Sequence, residues 1–303
     1  MPGSRRIALL RRFPYLFQSP LKGTDTKYSN TYFKKSQPLK VRMASTFISG
    51  RKPKLVIFDK DGTLIDFDFM WASWTEKLAK DIEELINAKN HTVVEQGAVT
   101  EEIFNQLGYD SANRTVKSGG KLCCSPMGEI RGVIKSLLSS KFSLSDATIE
   151  EILDNTYGTP TPNESNVRTL GNLKDTFTMM REKYGLKIAV CTTDDHEPTK
   201  EMLRLQGALH LVDVIVGGDD VHIPPKPSPE QIKHICDKVN VLPEHAVMVG
   251  DTNTDMAMGK SANVLLTIGM MHGASSIVDL EPNADVLVPS FHKFEQLLHH
   301  ICS

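Results

Sequence analysis

LVIFDKDGTLIDFD, from Leu55 to Asp68, joins a strand pattern to a cluster of charges. Its first four residues are apolar and predict a short buried strand. The strand runs directly into Asp59 and Asp61, and Gly62 follows with the conformational freedom that a sharp turn needs. Two carboxylates this close repel each other unless a cation or a bound proton offsets their charge. The stretch therefore predicts a strand that delivers two aspartates into a charged site.

The rest of the sequence has the alternation of an α/β protein. After the proline-rich segment GTPTPN (158–163), short apolar strands alternate with helices, beginning with the strand LKIAVCTT. This alternation predicts a Rossmann-like parallel sheet core with helices on both faces. The region between the first strand and GTPTPN has helical periodicity and is predicted to be a helical insertion. We therefore expect a core at 51–67 and 163–303, and an inserted helical domain at 68–162.

Polar side chains follow the predicted strands at the point where each strand ends. The carboxyl ends of parallel strands lie at one edge of a sheet, and ligands bind there, so we expect these side chains to converge. A lysine in the loop HIPPKPSPE, which follows another strand, is expected to join them. The converging residues are Asp59 and Asp61, Thr192 and Thr193, Asp251 and Asp255, and Lys226.

The residue types in this set favour phosphoryl chemistry. Several aspartates in one cleft cannot all stay ionised without a cation, and a ligand set made only of oxygen favours Mg²⁺. Mg²⁺ usually shares its coordination shell with phosphate oxygens. Lys226 and Thr192 offer a positive charge and a hydroxyl donor, and both suit a phosphoryl group. The metal-ligand candidates are Asp59, Asp61, Asp251 and Asp255.

The two leading aspartates are predicted to divide the chemistry between them. Asp59, at the end of the strand, is placed to attack phosphorus and form an aspartyl-phosphate. Asp61 is placed to protonate the leaving oxygen and later to activate the hydrolytic water. Gly62 permits a tight turn and a close approach of main-chain amides to the phosphoryl group.

A calcium-binding loop is the alternative interpretation of closely spaced aspartates. The EF-hand pattern requires glycine at position six and glutamate at position twelve. Counted from Asp59, these positions are Leu64 and Met70, and counting from Asp251 also fails at both positions. The sequence therefore excludes an EF-hand.

The segments FDKDGTL, VCTT, PPKPSPE and VGDTNTDM resemble the four ordered motifs of the haloacid dehalogenase-like hydrolases. The resemblance extends from Lys54 to the end of the chain. It implies a Rossmann-like core in which Asp59 is the nucleophile and Asp61 the general acid and base. An aspartate two residues after the nucleophile is typical of the phosphatases of this family and is lacking in its dehalogenases.

The same resemblance implies roles for the later motifs. Thr192 and Lys226 would bind the phosphoryl group. Asp251 would hold Mg²⁺ together with Asp59 and the main-chain carbonyl of Asp61, while Asp255 would support the water molecules of the metal.

Within the family, the sequence is most similar to phosphoglycolate-phosphatase-like members, which makes phosphoglycolate the best single substrate expectation. Two positions depart from the pattern. Lys60 stands where an apolar residue is common, and Thr193 replaces the usual asparagine. Nothing in the expected mechanism requires Lys60, and local charge balance is the only role that the sequence offers for it.

The helical insertion resembles the C1 cap of the family, a lid over small substrates. Its segment SGGKLCCSPMGEIRG (118–132) interrupts the helical periodicity and is predicted to select the substrate. Lys121 and Arg131 are candidates to bind a substrate carboxylate, and the alternative is that they are solvated charges of the lid. Trp71 and Trp74 are expected to pack within the lid.

The first fifty residues form a basic leader. They contain ten Lys or Arg side chains and one acid, Asp25, and are rich in hydroxyl residues. This composition is typical of a mitochondrial transit peptide. The alternative is a disordered basic tail with Met43 as an internal start. We expect residues 1–50 to lie outside the fold, and the mature protein to be in the mitochondrial matrix or, alternatively, the cytoplasm.

Composition also limits the partners. The chain after residue 50 has more acidic than basic side chains, which argues against binding a nucleic-acid backbone. No apolar run approaches the roughly 18 residues that a membrane span requires. The five cysteines lack a C-x-x-C pair, so neither a zinc site nor a secreted disulfide framework is expected, and the vicinal pair Cys123–Cys124 is interpreted as incidental. The expected partner is a small phosphorylated metabolite, and a homodimer stays open.

Two other functions fit the same core. A phosphonate hydrolase or a phosphomutase would reuse these motifs, although the phosphonate route needs a lysine from the cap to form a Schiff base. A regulator that binds Mg²⁺ or a phosphorylated partner without catalysis is the third interpretation. The presence of Asp61 argues against it, because a protein that only binds does not need a proton donor.

Overall fold

One parallel sheet is the frame of the molecule. The computed structural model describes residues 51–88, 95–117 and 119–303. Its strands are β1 (Leu55–Phe58), β2 (Tyr109–Asp110), β3 (Thr115–Val116), β4 (Lys187–Cys191), β5 (Val214–Val216), β6 (Ala246–Gly250), β7 (Leu266–Met270) and β8 (Val286–Val288). Six of them form the sheet in the order β5-β4-β1-β6-β7-β8, and every pairing is parallel. Strands β2 and β3 form a separate antiparallel pair.

Helices connect the strands and follow the predicted alternation. Within the described residues they are α1 (Phe67–Ala88), α2 (Ala98–Leu107), α3 (Lys121–Cys124), α4 (Met127–Phe142), α5 (Asp146–Thr156), α6 (Leu173–Tyr184), α7 (His196–Leu205), α8 (Glu230–Val239), α9 (Asn253–Ser261), α10 (Ile277–Leu280) and α11 (Phe291–Cys302). Two short 3₁₀ turns lie at Leu209–Leu211 and Pro243–His245.

The central strand β1 is buried on both faces, which explains its uninterrupted apolar sequence. Val56 and Phe58 face one core, where the Phe58 ring stacks on Phe177 of α6 at 5.3 Å between centroids. Leu55 and Ile57 face the other core, which contains the buried face of α8. Full burial of each such side chain contributes about 1.5–3 kcal/mol to stability. The prediction of a parallel sheet with helices on both faces is confirmed.

The helical insertion lies between β1 and β4 in the chain and comprises α1 to α5 with the β2–β3 pair. Leu78, Ile82 and Ile86 recur every four residues along α1 and are buried, so they form one apolar stripe. Helix α1 packs against α2 and α5. The insertion therefore has an apolar core of its own, continuous with one face of the sheet. The domain boundaries proposed from the sequence stay a prediction.

Some predictions concern residues outside the described ranges. The transit peptide at residues 1–50 is one of them, and the first residue of the proposed specificity segment, Ser118, is another. In the described part of the chain, no helix combines the length and the apolar character that crossing a membrane requires.

Candidate active site

Acidic side chains and one lysine meet at the carboxyl edge of the sheet. Asp59 follows β1, and Asp251 follows the neighbouring strand β6. Asp255 lies in the first turn of α9, and Lys226 comes from the loop between β5 and α8. The Lys226 Nζ lies 2.6 Å from Asp59 Oδ1 and 2.7 Å from Asp255 Oδ1. The structure thus brings together residues that are far apart in the sequence, as the strand topology predicted.

Three of the carboxylates form a compact cluster. One oxygen each from Asp59, Asp251 and Asp255 lies within 4.8 Å of the others, and all three residues are buried. Asp251 is held on both sides, because Thr63 Oγ1 donates to its Oδ1 at 3.2 Å and the Ala274 N–H donates to its Oδ2 at 2.6 Å. A buried set of carboxylate oxygens at this spacing fits a hard divalent cation. The Asp61 carboxylate is not part of this cluster.

The start of helix α9 fixes Asp255. Thr252 caps the helix, and its main-chain N–H and hydroxyl both donate to Asp255 Oδ2, at 3.0 and 2.6 Å. The second carboxylate oxygen, Oδ1, is left to face Lys226. This capping arrangement positions one functional oxygen without a flexible side chain.

Burial and the proximity of the carboxylates to one another disfavour the ionised aspartates of the cluster. Burial raises the pKa of Asp59 to about 7, and Asp255 adds to the rise, although Lys226 opposes it. Burial, Asp59 and Asp255 raise the pKa of Asp251 well above its usual value. Burial alone would lower the pKa of Lys226, but Asp255 and Asp59 outweigh it and raise this pKa. A further cation would lower the free energy of this arrangement.

Gly62 leaves room for the Asp251 carboxylate. Its N–H donates to the Ile65 carbonyl at 2.8 Å, and its expected contact with a phosphoryl group stays a prediction. The residue has a φ of 80°, and a Cβ built on it would overlap Asp251 Oδ2. A Cβ on Gly273 would overlap the same oxygen. Two glycines therefore leave the space that the Asp251 carboxylate occupies.

Asp61 is held from two directions. The indole Nε1 of Trp71, in the first turns of α1, donates to Asp61 Oδ1 at 2.9 Å. Asp61 Oδ2 lies 3.1 Å from the Nζ of Lys60. Trp71 packs against Phe67 and Trp74, as expected for the insertion, and its hydrogen bond to Asp61 adds a contact with the sheet edge. Burial raises the pKa of Asp61, and Lys60 opposes the rise.

Lys60 has a buried partner that the sequence did not reveal. Its side chain is fully buried, and Nζ lies 2.5 Å from Asp194 Oδ2. Burial alone would lower the pKa of Lys60, but Asp61 and Asp194 outweigh it and raise the pKa. Lys60 is therefore a charged ammonium group between two carboxylates. The expectation of local charge balance was correct for Asp61 and missed Asp194.

The threonines after β4 take different places. Thr192 is buried, and its Oγ1 accepts a hydrogen bond from the Asp194 N–H at 3.1 Å. Thr193 lines the cavity beside Asp59 and Lys226. The phosphoryl contact of Thr192 stays a prediction.

A cavity separates the sheet edge from the insertion. Its sheet side presents Asp59, Asp61, Asp251 and Lys226. Its opposite side is mostly apolar, apart from the thiol of Cys123 and the hydroxyl of Ser125. The insertion contributes Phe67, Trp71, Leu122, Cys123, Ser125, Met127 and Ile130.

Lys121 and Arg131 do not line this cavity. Lys121 Nζ lies 2.6 Å from Glu129 Oε1, and Arg131 lies 2.7 Å from Glu150 and 2.8 Å from Asp154. Both cations are neutralised within the insertion. Of the two alternatives considered from the sequence, the structure favours charges of the lid surface over ligands of a substrate carboxylate.

Sequence reasoning missed several residues that contact the site, namely Asp194, Thr63, Thr252, Ala274, and Trp71 in its contact with Asp61. Lys60 itself was the available signal for Asp194, because a lysine among buried residues requires a carboxylate partner. The sequence does not indicate which of the many acidic residues that partner is.

Comparison with known proteins places these motifs in context. Residues 53–263 match the family model described as haloacid dehalogenase-like hydrolase. This range contains each of the aspartates and the lysine that meet at the sheet edge.

Two curated phosphoglycolate phosphatases match over most of their length, and a pyrophosphatase matches over a shorter segment. The phosphoglycolate phosphatase of Psychrobacter arcticus is 26% identical over 227 residues, which cover 73% of this chain and 84% of the relative. The phosphoglycolate phosphatase of Aquifex aeolicus is 27% identical over 224 residues, which cover 72% of this chain and 84% of the relative. The pyrophosphatase PpaX of Halalkalibacterium halodurans is 38% identical over 80 residues, which cover 26% of this chain and 37% of the relative.

Solved structures share the fold. A predicted phosphoglycolate phosphatase from Haemophilus somnus has a TM-score of 0.55 at 19% identity and covers 81% of this chain and 97% of its own. A HAD family hydrolase from Deinococcus radiodurans, solved with bound phosphate and sodium, has a TM-score of 0.53 at 16% identity. The match covers 83% of this chain and 97% of that structure. At these identities the likeness concerns the fold alone.

Proposed function

The chain belongs to the haloacid dehalogenase-like hydrolase family, and from this premise we propose that it hydrolyses a small phosphomonoester through an aspartyl-phosphate on Asp59. The observation that carries the proposal is the position of Lys226, whose Nζ bridges Asp59 and Asp255 beside the three-carboxylate cluster. An ammonium group at this point is placed to neutralise a phosphoryl group as Asp59 attacks it.

The cluster fits Mg²⁺ as the resident cation. Asp59, Asp251 and the main-chain carbonyl of Asp61 would hold it, and Asp255 would hydrogen-bond its water ligands. When bound, Mg²⁺ would offset the charge that the carboxylates and the phosphoryl oxygens bring together.

The first chemical step uses the two leading aspartates. A carboxylate oxygen of Asp59 attacks phosphorus, and the bond between phosphorus and the leaving oxygen breaks. Asp61 donates a proton to that oxygen, so the alcohol departs as a neutral molecule. Asp59 is then an acyl phosphate, and Asp61 is ionised.

The second step returns the enzyme to its starting state. A water molecule attacks the phosphorus of the acyl phosphate and gives its proton to Asp61. The bond between phosphorus and Asp59 breaks, which releases inorganic phosphate and restores the Asp59 carboxylate. Lys226 stays beside the negative charge in both steps.

Phosphoglycolate is the single substrate that the resemblance favours, and the relatives from Psychrobacter arcticus and Aquifex aeolicus are named for it. The apolar wall of the cavity also suits other small esters. The phosphonate alternative requires a lysine from the insertion. Among the described residues, the insertion side of the cavity contributes none, so no observation favours that route.

The test is phosphate release by the purified full-length protein from a panel of phosphorylated metabolites that includes phosphoglycolate. We expect turnover with Mg²⁺ present and loss of turnover in Asp59→Asn. Asp237→Asn, an exposed position on α8, is the matched control and keeps full activity. Turnover by Asp59→Asn at the wild-type rate would overturn the nucleophile assignment.

We also propose import into the mitochondrion, supported by the composition of residues 1–50. The test is the location of a fluorescent protein fused to these residues. Diffuse cytoplasmic fluorescence would favour the alternative of a basic tail.

A further inference from the structure

A buried lysine between two aspartates is unusual enough to require an explanation. The side chain of Lys60 is fully buried, and that of Asp194 is 1% exposed. An ionised group removed from water is costly unless it is paired and hydrogen-bonded. An apolar side chain at position 60, packed against an apolar partner, would avoid this cost. The pair is therefore more than a packing solution.

Contacts lead from Asp194 through Lys60 to Asp61. Asp194 is fixed by its own main chain: its N–H donates to Thr192 Oγ1 at 3.1 Å, and its carbonyl accepts from Gly218 N at 2.7 Å. Its Oδ1 accepts the Asp195 N–H at 2.8 Å, which leaves Oδ2 for Lys60. Asp194 thus holds the Lys60 Nζ at a defined point.

From that point, Nζ reaches the carboxylate of Asp61. It lies 3.1 Å from Oδ2, while Trp71 occupies Oδ1 at 2.9 Å. The two contacts come from different sides and engage different oxygens, so together they restrict rotation of the carboxylate. Proton transfer depends strongly on such orientation, because donor and acceptor must meet within hydrogen-bond distance.

We propose that Lys60 is a positioning residue, anchored by Asp194, that holds the Asp61 carboxylate in the orientation for proton transfer to the leaving oxygen. The inference rests on the proposed function, since it assigns Asp61 its role as proton donor. It explains why a charged residue occupies this position. It adds Asp194, from the loop after β4, to the groups on which catalysis depends.

The choice of leaving group separates this role from a structural one. An alkyl phosphate releases a basic alkoxide that needs a proton from Asp61. A p-nitrophenyl phosphate releases a stabilised phenolate that leaves without one. The ratio kcat/KM reports on steps up to the first irreversible one, so it isolates phosphoryl transfer to Asp59 from the later hydrolysis.

The experiment compares the two esters in wild type, Lys60→Met and the double variant Lys60→Met/Asp194→Asn. We expect kcat/KM for the alkyl ester to fall by about 100-fold, the lower range for loss of general acid catalysis, and the fall for the aryl ester to be much smaller. Lys238→Met, an exposed position on α8, is the matched control. The double variant removes one charge of each sign, so it protects the test if the single variant fails to fold.

An equal fall for both esters, or no fall for either, would overturn the inference. Failure of the proposed function looks different: wild type itself would hydrolyse neither ester, or Asp59→Asn would remain active. A second readout uses the Asp61→Asn background. If Lys60 acts through Asp61, adding Lys60→Met there has little further effect on the alkyl ester, whereas an independent structural role would lower the rate again.

Discussion

Trp71 Nε1 and Asp61 Oδ1 lie 2.9 Å apart, and this hydrogen bond joins the helical insertion to the catalytic edge of the sheet. Trp71 belongs to α1, which buries an apolar stripe that includes Leu78, Ile82 and Ile86. The position of the insertion and the orientation of the proposed proton donor are therefore linked through one indole group.

Replacing Trp71 by phenylalanine should lower the kcat for an alkyl phosphate about tenfold, because a hydrogen bond to a charged group contributes about 1.5 kcal/mol. The ring and most of its packing stay. Steady-state kinetics measures the effect. Trp74→Phe is the control, since the Trp74 indole donates to the Gly158 carbonyl at 2.8 Å and has no bond to Asp61. Equal rates in the two variants would contradict the link.

Gly62→Ala should abolish activity and destabilise the protein. The new Cβ would overlap Asp251 Oδ2 and would also force a positive φ on alanine. Gly97→Ala shares the second effect only, since Gly97 has a φ of 88° and nothing within 4 Å of an added Cβ. In urea unfolding, backbone strain should lower the free energy of unfolding by about 1–2 kcal/mol in both variants. The overlap with Asp251 should lower it further in Gly62→Ala. An active Gly62→Ala would show that Asp251 can move away without consequence.

Removing the metal should remove the activity. A chelator is expected to stop phosphate release, and added Mg²⁺ to restore it. A readout independent of activity is the melting temperature, because an ion that binds only the folded state stabilises it by an amount that rises with the ion concentration relative to its Kd. Mg²⁺ should raise the Tm of wild type and have much less effect on Asp251→Asn. The same Tm rise in both proteins would place the ion outside the Asp59, Asp251 and Asp255 cluster.

The vicinal cysteines should differ in reactivity. Their sulfur atoms lie 3.2 Å apart, at hydrogen-bonding distance, and this contact lowers the pKa of Cys124 while raising that of Cys123. A lower pKa means a larger thiolate fraction at any pH below it, and the thiolate is the nucleophile. Iodoacetamide should therefore alkylate Cys124 first, as followed by peptide mass spectrometry near neutral pH. Cys123→Ala should slow the labelling of Cys124, and faster labelling would show that the contact with Cys123 does not lower the pKa of Cys124.

The sheet and the meeting of the main site residues could be predicted because both depend on local patterns. Asp59 and Asp251 each follow an apolar run that forms a strand. Since parallel strands have their carboxyl ends at one edge of the sheet, the two residues are predicted to lie close together. Asp255 lies in the first turn of the helix that begins just after Asp251, so it stays near the same edge. These relations repeat wherever strands alternate with helices.

The Lys60–Asp194 pair could not be predicted in the same way. The two residues lie on different loops, and their contact depends on how those loops turn after their strands. The sequence could not decide between the two alternatives for Lys121 and Arg131 for a related reason: their partners lie within the insertion, and only its folded packing decides whether they face the cavity. Ion pairs between distant residues depend on tertiary structure, and the periodicity of apolar residues in the sequence does not predict them.

The two glycines beside Asp251 have a consequence for how this protein can change over time. Leu122, Met127 and Ile130 line the cavity from the insertion, and substitutions at these positions can change the shape of the cavity. Gly62 and Gly273 have no such freedom, because the same oxygen atom fills the space of both missing side chains. In a saturation library we therefore expect almost no active variants with a side chain at either position, unless the Asp251 carboxylate is also removed or displaced.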